Sequence, residues 1–186
     1  MRQRNRPVKE QYYLVSQLPF ISPEKSTLPI TEKYYRDLCS RFLEGKSKEI
    51  LESLSLEPSK EPESTGSSFL DAWYEHERAL RFALAQVRAQ KLKKDLGALP
   101  VSITADIVQA ARTAVGMDSP LLAEQFLYEY RLSALEKFQP LDIFCEDYVF
   151  AYGIRLMLVQ RIKAFDKEKG TASYHRIYDT ILGEKS

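Results

Sequence analysis

Residues 68–95 lie in the longest stretch of the chain that contains neither glycine nor proline. The apolar residues of this stretch recur at helical spacing, and the largest of them share one face: Phe69, Trp73, Leu80, Leu84 and Val87. A helix with such a stripe must bury it against other parts of the protein. At about 1.5 Å per residue, this predicted helix is on the order of 40 Å long and spans a small domain.

The residues at the two ends of the stretch agree with this prediction. Ser68 is predicted to be the N-cap, and Asp71 places a carboxylate near the positive end of the helix dipole. Burial of the stripe contributes on the order of 10 kcal/mol. An exposed ion pair such as Glu77 with Arg81 contributes only about 0.3–0.5 kcal/mol. Packing is therefore predicted to place the helix, with the ion pair on its solvent face.

Several further helices are predicted from apolar periodicity and from start and stop signals. The segment from Tyr12 to Ser16 has strand-like composition but no partner strand, so we expect an extended segment that packs on the helices. The other predicted helices are 31–42, 48–54, 104–116, 119–138, 142–165 and 173–182.

These elements predict an all-α fold, an up-down helical bundle with a long central helix and an N-terminal appendage of extended chain and short helices. The predicted division of the chain is a disordered basic tail at 1–10, an appendage at 11–54, a flexible loop at 55–67 and the main bundle at 68–186. The loop is predicted because Pro58, Pro62 and Gly66 occur there among serine and glutamate residues.

Composition excludes some classes of function. The chain has 27 lysine and arginine residues against 26 acidic residues, a net charge of +1, which argues against a general nucleic-acid binder. The longest apolar run, Tyr148 to Val159, is too short for a bilayer and predicts a buried central helix. No apolar leader follows the basic N-terminus, so we expect a cytoplasmic protein with reduced thiols at Cys39 and Cys145. Both cysteines are predicted to be small core residues.

No motif in the sequence predicts a cofactor or a metal. Gly45-Lys46-Ser47 resembles the end of a phosphate-binding loop, but Ser40 stands where that motif needs a glycine. His76 lacks the partners of helical iron and zinc motifs, and it is predicted to lie at the edge of the core. His175 is expected to be exposed near the end of the chain.

Acidic and aromatic residues leave two alternatives open. Glu146 and Asp147 suit the first turn of a helix, although such a pair could also serve a small helical enzyme. Eight of the eleven tyrosines are expected to be half-buried with their hydroxyls at the rim of the core, and a tyrosine-rich surface also suits a protein interface. They are Tyr12, Tyr13, Tyr34, Tyr35, Tyr128, Tyr130, Tyr148 and Tyr152.

Three segments resemble a bacterial family of helical proteins whose genes accompany V-type ATPase genes. They are Tyr12 to Pro19, Phe69 to Leu92, and Ala151-Tyr152 through to the segment Asp166-Lys167-Glu168-Lys169-Gly170. That family is similar to the V-type ATPase C subunit, or subunit d, the helical collar between the central stalk and the membrane rotor ring.

The resemblance implies a non-catalytic rotor component or assembly factor without a cofactor, which acts as a coupling part in contact with stalk and ring subunits. The candidate contacts are exposed aromatic residues and arginines, such as Tyr74 and Arg88. It also implies that the protein reaches the inner face of the membrane only through those partners. The chain has 186 residues and is much shorter than the C subunit, so replacing that subunit and assisting it are both open. The alternatives are a generic helical adaptor and a small helical enzyme that uses carboxylates.

Overall fold

The computed structural model describes residues 11–22, 27–59, 63–94, 103–165, 176–178 and 180–181. Within these residues the fold is all-α, with no strand, as the sequence predicts. The helices are α1 (Tyr12–Gln17), α2 (Glu32–Cys39), α3 (Lys46–Ser53), α4 (Ser68–Lys91), α5 (Ala105–Gly116), α6 (Pro120–Phe138) and α7 (Glu146–Ala164). The predicted basic tail at 1–10, His175 and much of the predicted last helix lie outside the described residues.

Helix α4 has 24 residues and a length of about 36 Å. Its N-cap is Ser67, one residue before the predicted N-cap Ser68, which is instead the first residue of the helix. The Ser67 side chain accepts a hydrogen bond from the backbone N–H of Leu70, which satisfies one of the free donors of the first turn. The predicted stripe is confirmed, since Phe69, Trp73, Leu80 and Leu84 are buried and Val87 is half-buried.

Helix α4 connects two clusters of buried side chains. The larger cluster contains Phe69 and Trp73 from the first half of α4 together with most of the buried face of α7. The smaller cluster contains Leu80 and Leu84 from the middle of α4, packed on α5 and on Leu127 of α6. A single continuous helix thus holds both cores at a fixed separation.

Helix α7 is the predicted buried central helix. Its ten buried residues run almost without interruption from Val149 to Val159. The helix begins at Glu146, later than predicted, because Asp142 accepts a hydrogen bond from the backbone N–H of Phe144 and holds a turn before it. Gly153 allows α2 to approach closely, since a Cβ there would lie 2.5 Å from the hydroxyl of Tyr35.

The segment from Tyr12 to Ser16 is helical, so the expectation of extended chain is wrong. The side chains of Ser16 and Gln17 both donate to the carbonyl oxygen of Tyr13, at 2.9 Å. A short helix satisfies its backbone groups locally, whereas an isolated strand without a partner leaves them unpaired. Leu14 of α1 is fully buried in the larger cluster.

The segments 55–59 and 63–67 contain no helix. They contact α4 through hydrogen bonds: the Tyr74 hydroxyl accepts from the N–H of Ser55, and the Asp71 carboxylate accepts from Ser64 and Thr65. Helices α2 and α3 contribute Leu38 and Leu51 to the same large cluster as α4 and α7. The division into appendage, flexible loop and main bundle stays a prediction.

Candidate functional site

A buried carboxylate lies at the centre of the contact between α4 and α6. Glu77 is only 1% exposed. Arg131 of α6 donates to both of its oxygens, each at 2.9 Å, and Arg81 donates to one of them at 2.8 Å. The expectation of an exposed pair between Glu77 and Arg81 is therefore wrong, because α6 covers the carboxylate and supplies a second arginine.

Glu77 and its two arginines line one side of a cleft of about 220 Å³. The cleft lies between α4, α6, α7 and the segment that contains Leu56 and Glu57. Apolar side chains, among them Trp73, Leu127 and Leu158, also line it. We call it the arginine cleft, and its charged lining residues are Arg81, Arg88, Arg131, Arg161, Glu57, Glu77 and Glu124. Four guanidinium groups thus face three carboxylates.

The charges of the arginine cleft are paired to different degrees. Arg161 lies 3.3 Å from Glu124, and Arg81 lies 3.8 Å from the largely exposed Glu57. Arg88 makes no side-chain ion pair or hydrogen bond with the described part of the chain. The indole Nε1 of Trp73 is buried, and no described residue accepts a hydrogen bond from it. Among the arginines of the cleft, Arg88 therefore has a guanidinium group that no other described residue uses.

The two predicted interface residues do not come together. Arg88 is exposed and lines the arginine cleft. Tyr74 is half-buried and lines a separate groove with Ile50 and Arg78. Burial raises the pKa of the Tyr74 hydroxyl, and the N–H of Ser55 lowers it to a smaller extent by donating to the oxygen. Their role at an interface stays a prediction.

The acidic pair at the start of α7 joins helices. Glu146 and Asp147 lie in the first turn of α7, as predicted. Ser47 at the start of α3 donates to the carboxylate of Glu146. Asp147 accepts from the hydroxyls of Ser67 and Ser68, at 2.6 and 2.8 Å, and from the N–H of Phe69 at 3.2 Å. These carboxylates thus fix the N-terminal ends of α3 and α4 to that of α7.

The two cysteines have different surroundings. Cys39 is buried in the core, as predicted, and this burial raises the pKa of its thiol to about 12, although Tyr35 lowers it to a smaller extent. Cys145 is only half-buried, so its assignment to the core is wrong. It is the N-cap residue of α7, and its Sγ donates to the carbonyl of Asp142 at 3.0 Å. Burial also raises the pKa of the Cys145 thiol, although the backbone N–H groups of Tyr148 and Asp147 lower it to a smaller extent.

His76 lies at the edge of the core, as predicted. Its ring stacks on Tyr130 and meets Phe138 edge-on, with both ring centroids at 5.5 Å. Burial lowers the pKa of His76 below its ordinary value of 6.5, and the charges of Lys137 and Arg131 act in the same direction. The carboxylates of Glu77 and Asp106 oppose these effects in part. The folded protein therefore favours the neutral ring.

This environment predicts a pH dependence of stability. Below about pH 6.5 the unfolded chain binds a proton at His76 more readily than the folded chain does. The free energy of unfolding should therefore decrease as the pH falls from 7.5 to 5.5, and the decrease should be smaller in His76→Gln. Urea unfolding of the wild type and of His76→Gln at several pH values measures this. The same slope in the wild type and in His76→Gln would contradict the prediction.

A second surface feature is a set of exposed apolar side chains on α1, at Phe20 just after it, and on the connection between α6 and α7. Tyr13 and Phe20 are 81% and 84% exposed. We define the apolar patch as Tyr12, Tyr13, Phe20, Leu141 and Ile143, all exposed large side chains. The two parts meet at Tyr12, whose ring lies 4.2 Å from that of Phe144 in the connection. The sequence placed the tyrosines at the rim of the core, and Tyr13 lies well outside it.

The part of the chain that the structure describes contains no group of three or more side chains suited to binding a metal ion. Over the same residues, no helix combines the length and the apolar character that a membrane span requires. No family model, curated protein or solved structure matches the chain.

Proposed function

We propose that the protein is a non-catalytic component or assembly factor of a V-type rotary ATPase, with the apolar patch as its contact surface. It acts in the cytoplasm, at the inner face of the membrane, as a coupling part between stalk and rotor-ring subunits. One observation carries this proposal. The segment Tyr12 to Pro19, which resembles the V-type ATPase-associated family, presents Tyr13 to solvent and is followed directly by the exposed Phe20.

The apolar patch has the chemistry of a protein interface. Aromatic residues are enriched at such interfaces, and an apolar surface that remains exposed in a folded chain marks a site for a partner. Two aromatic rings and a fully exposed leucine, Leu141, contribute most of the accessible area. Burial of one such side chain by a partner contributes roughly 1.5–3 kcal/mol.

The patch is attached to a rigid part of the fold, which supports binding without a large loss of entropy. Leu14 anchors α1 in the core, and the backbone N–H of Gln11 donates to the carbonyl of Phe144 at 2.7 Å. The hydroxyl of Tyr152 in α7 donates to the carbonyl of Pro19 at 2.7 Å. These contacts connect the N-terminal part of the patch to the core and to the central helix, which supports a role as a coupling part.

The test is purification of tagged protein from the organism that encodes it. V-type ATPase stalk or ring subunits are expected to co-purify in stoichiometric amounts with the wild type. The double substitution Tyr13→Ser and Phe20→Ser should remove them, because it deletes the two most exposed aromatic rings of the patch. The free energy of unfolding should change by no more than about 0.5 kcal/mol per site, since both side chains are exposed.

Phe82→Ser is the matched control, because Phe82 is an exposed aromatic residue of α4 outside the patch. It should retain the co-purifying subunits. Absence of every V-type ATPase subunit from the wild-type preparation, with the membrane complex intact, would overturn the proposal. Stoichiometric recovery of an unrelated protein instead would indicate a generic adaptor.

A further inference from the structure

We propose that the arginine cleft binds a small phosphate-bearing anion. The inference is independent of the proposed function, because it concerns a different surface, formed by α4, α6 and α7. Guanidinium groups match the geometry of phosphate oxygens and remain charged at all accessible pH values. Four of them line this one cleft.

Two of the arginines are held in place before any ligand binds. Glu77 accepts three hydrogen bonds from Arg81 and Arg131, and this carboxylate is itself nearly inaccessible to solvent. Arg131 uses Nε and Nη2 for this contact, which leaves its Nη1 group for another acceptor. A buried carboxylate that orients arginines lowers the entropy cost of binding, because their side chains are already ordered.

The unused polar atoms of the cleft are mainly donors. Arg88 presents its guanidinium without a partner from the described residues. Trp73 also lines the cleft, but its indole Nε1 is buried and is not accessible to a ligand there. The guanidinium of Arg88 and the Nη1 group of Arg131 are therefore donors without an acceptor from the described residues, and an anion with several oxygens satisfies them together.

The carboxylates of the cleft do not prevent this binding. The negative charge of Glu77 is balanced by the two arginines that donate to it. Glu57 is 76% exposed and only weakly paired to Arg81, so it can turn into solvent when a stronger acceptor arrives. Glu124 is also accessible beside Arg161. The volume of about 220 Å³ is below the range of about 300–1,000 Å³ for drug-sized ligands, which favours a compact phosphate compound.

The chain carries its own reporter for this site, because Trp73 is its only tryptophan. Titration of the full chain with inorganic phosphate and with pyrophosphate should change the Trp73 emission in a saturable manner. An apparent Kd at or below roughly 1 mM is expected. Sodium chloride at matched ionic strength controls for general screening. Calorimetry with the same salts detects binding independently of the emission.

Three variants separate a built site from a general attraction to positive charge. Arg88→Gln should weaken pyrophosphate binding about tenfold, since it removes charge-assisted hydrogen bonds. Glu57→Gln should strengthen binding several-fold, because it removes a competing carboxylate. Arg112→Gln, an exposed arginine of α5 away from the cleft, should leave the Kd unchanged.

The proposal is overturned if neither emission nor calorimetry shows saturable binding of either salt. It is also overturned if sodium chloride produces the same response, or if Arg88→Gln and Arg112→Gln bind pyrophosphate equally well. Thermal unfolding of each variant verifies that it is folded, and Arg88 and Glu57 are both exposed, so little change is expected there.

Discussion

Replacing Arg131 with leucine is expected to lower the free energy of unfolding by about 3–5 kcal/mol. Glu77 would then keep one arginine, Arg81, and would lose two of its three hydrogen bonds while remaining buried. A buried charge without sufficient partners pays the full cost of its removal from water. Urea unfolding followed by circular dichroism measures the effect, provided that the dependence on denaturant keeps the same slope.

Two further variants show whether burial is the cause. The double substitution Glu77→Met and Arg131→Leu should recover most of the loss, because an apolar pair of similar volume replaces the two charges. Arg161→Leu removes an arginine whose partner Glu124 is accessible, and it should cost no more than about 1 kcal/mol. Equal losses for Arg131→Leu and Arg161→Leu would show that Glu77 is solvated in the folded protein.

The buried contact of Glu77 with Arg131 could not be predicted from the sequence, because its residues lie far apart along the chain. Glu77 and Arg81 are separated by one helical turn, a spacing typical of surface pairs, and that local signal predicted exposure. Arg131 is 54 residues away, and no periodicity of α4 or α6 indicates which residues face each other. The arginine cleft also needs α7 and residues near Glu57, so only the packing of four segments assembles it.

The helices were more predictable because their signals are local. The stripe of α4, the Thr31 cap of α2 and the Ser119-Pro120 start of α6 lie within a few residues of the structure they specify. The prediction for α1 was wrong because its local signal is weak. Its six residues are too few to show a helical period, and its aromatic and branched residues favoured extended chain.

Trp73→Ala is expected to lower the free energy of unfolding by about 3–5 kcal/mol. The indole is completely buried where the stripe of α4 meets the larger core, so alanine would leave a cavity that the surrounding helices cannot fill. Domains of this kind are stable by about 5–15 kcal/mol, so one substitution would remove a large share of that total. Urea unfolding compared with the wild type measures the loss.

Two further substitutions on α4 show whether the cavity causes the loss of stability. Phe82→Ala removes an aromatic ring that is 40% exposed on the same helix, and it should cost about 1 kcal/mol or less. Trp73→Phe keeps much of the packing and removes a buried N–H that no described residue accepts, so it should cost clearly less than Trp73→Ala. Stability unchanged in Trp73→Ala would mean that the indole is accessible to solvent. In that case α4 would present its stripe outward, and the two cores would not be joined by a buried helix.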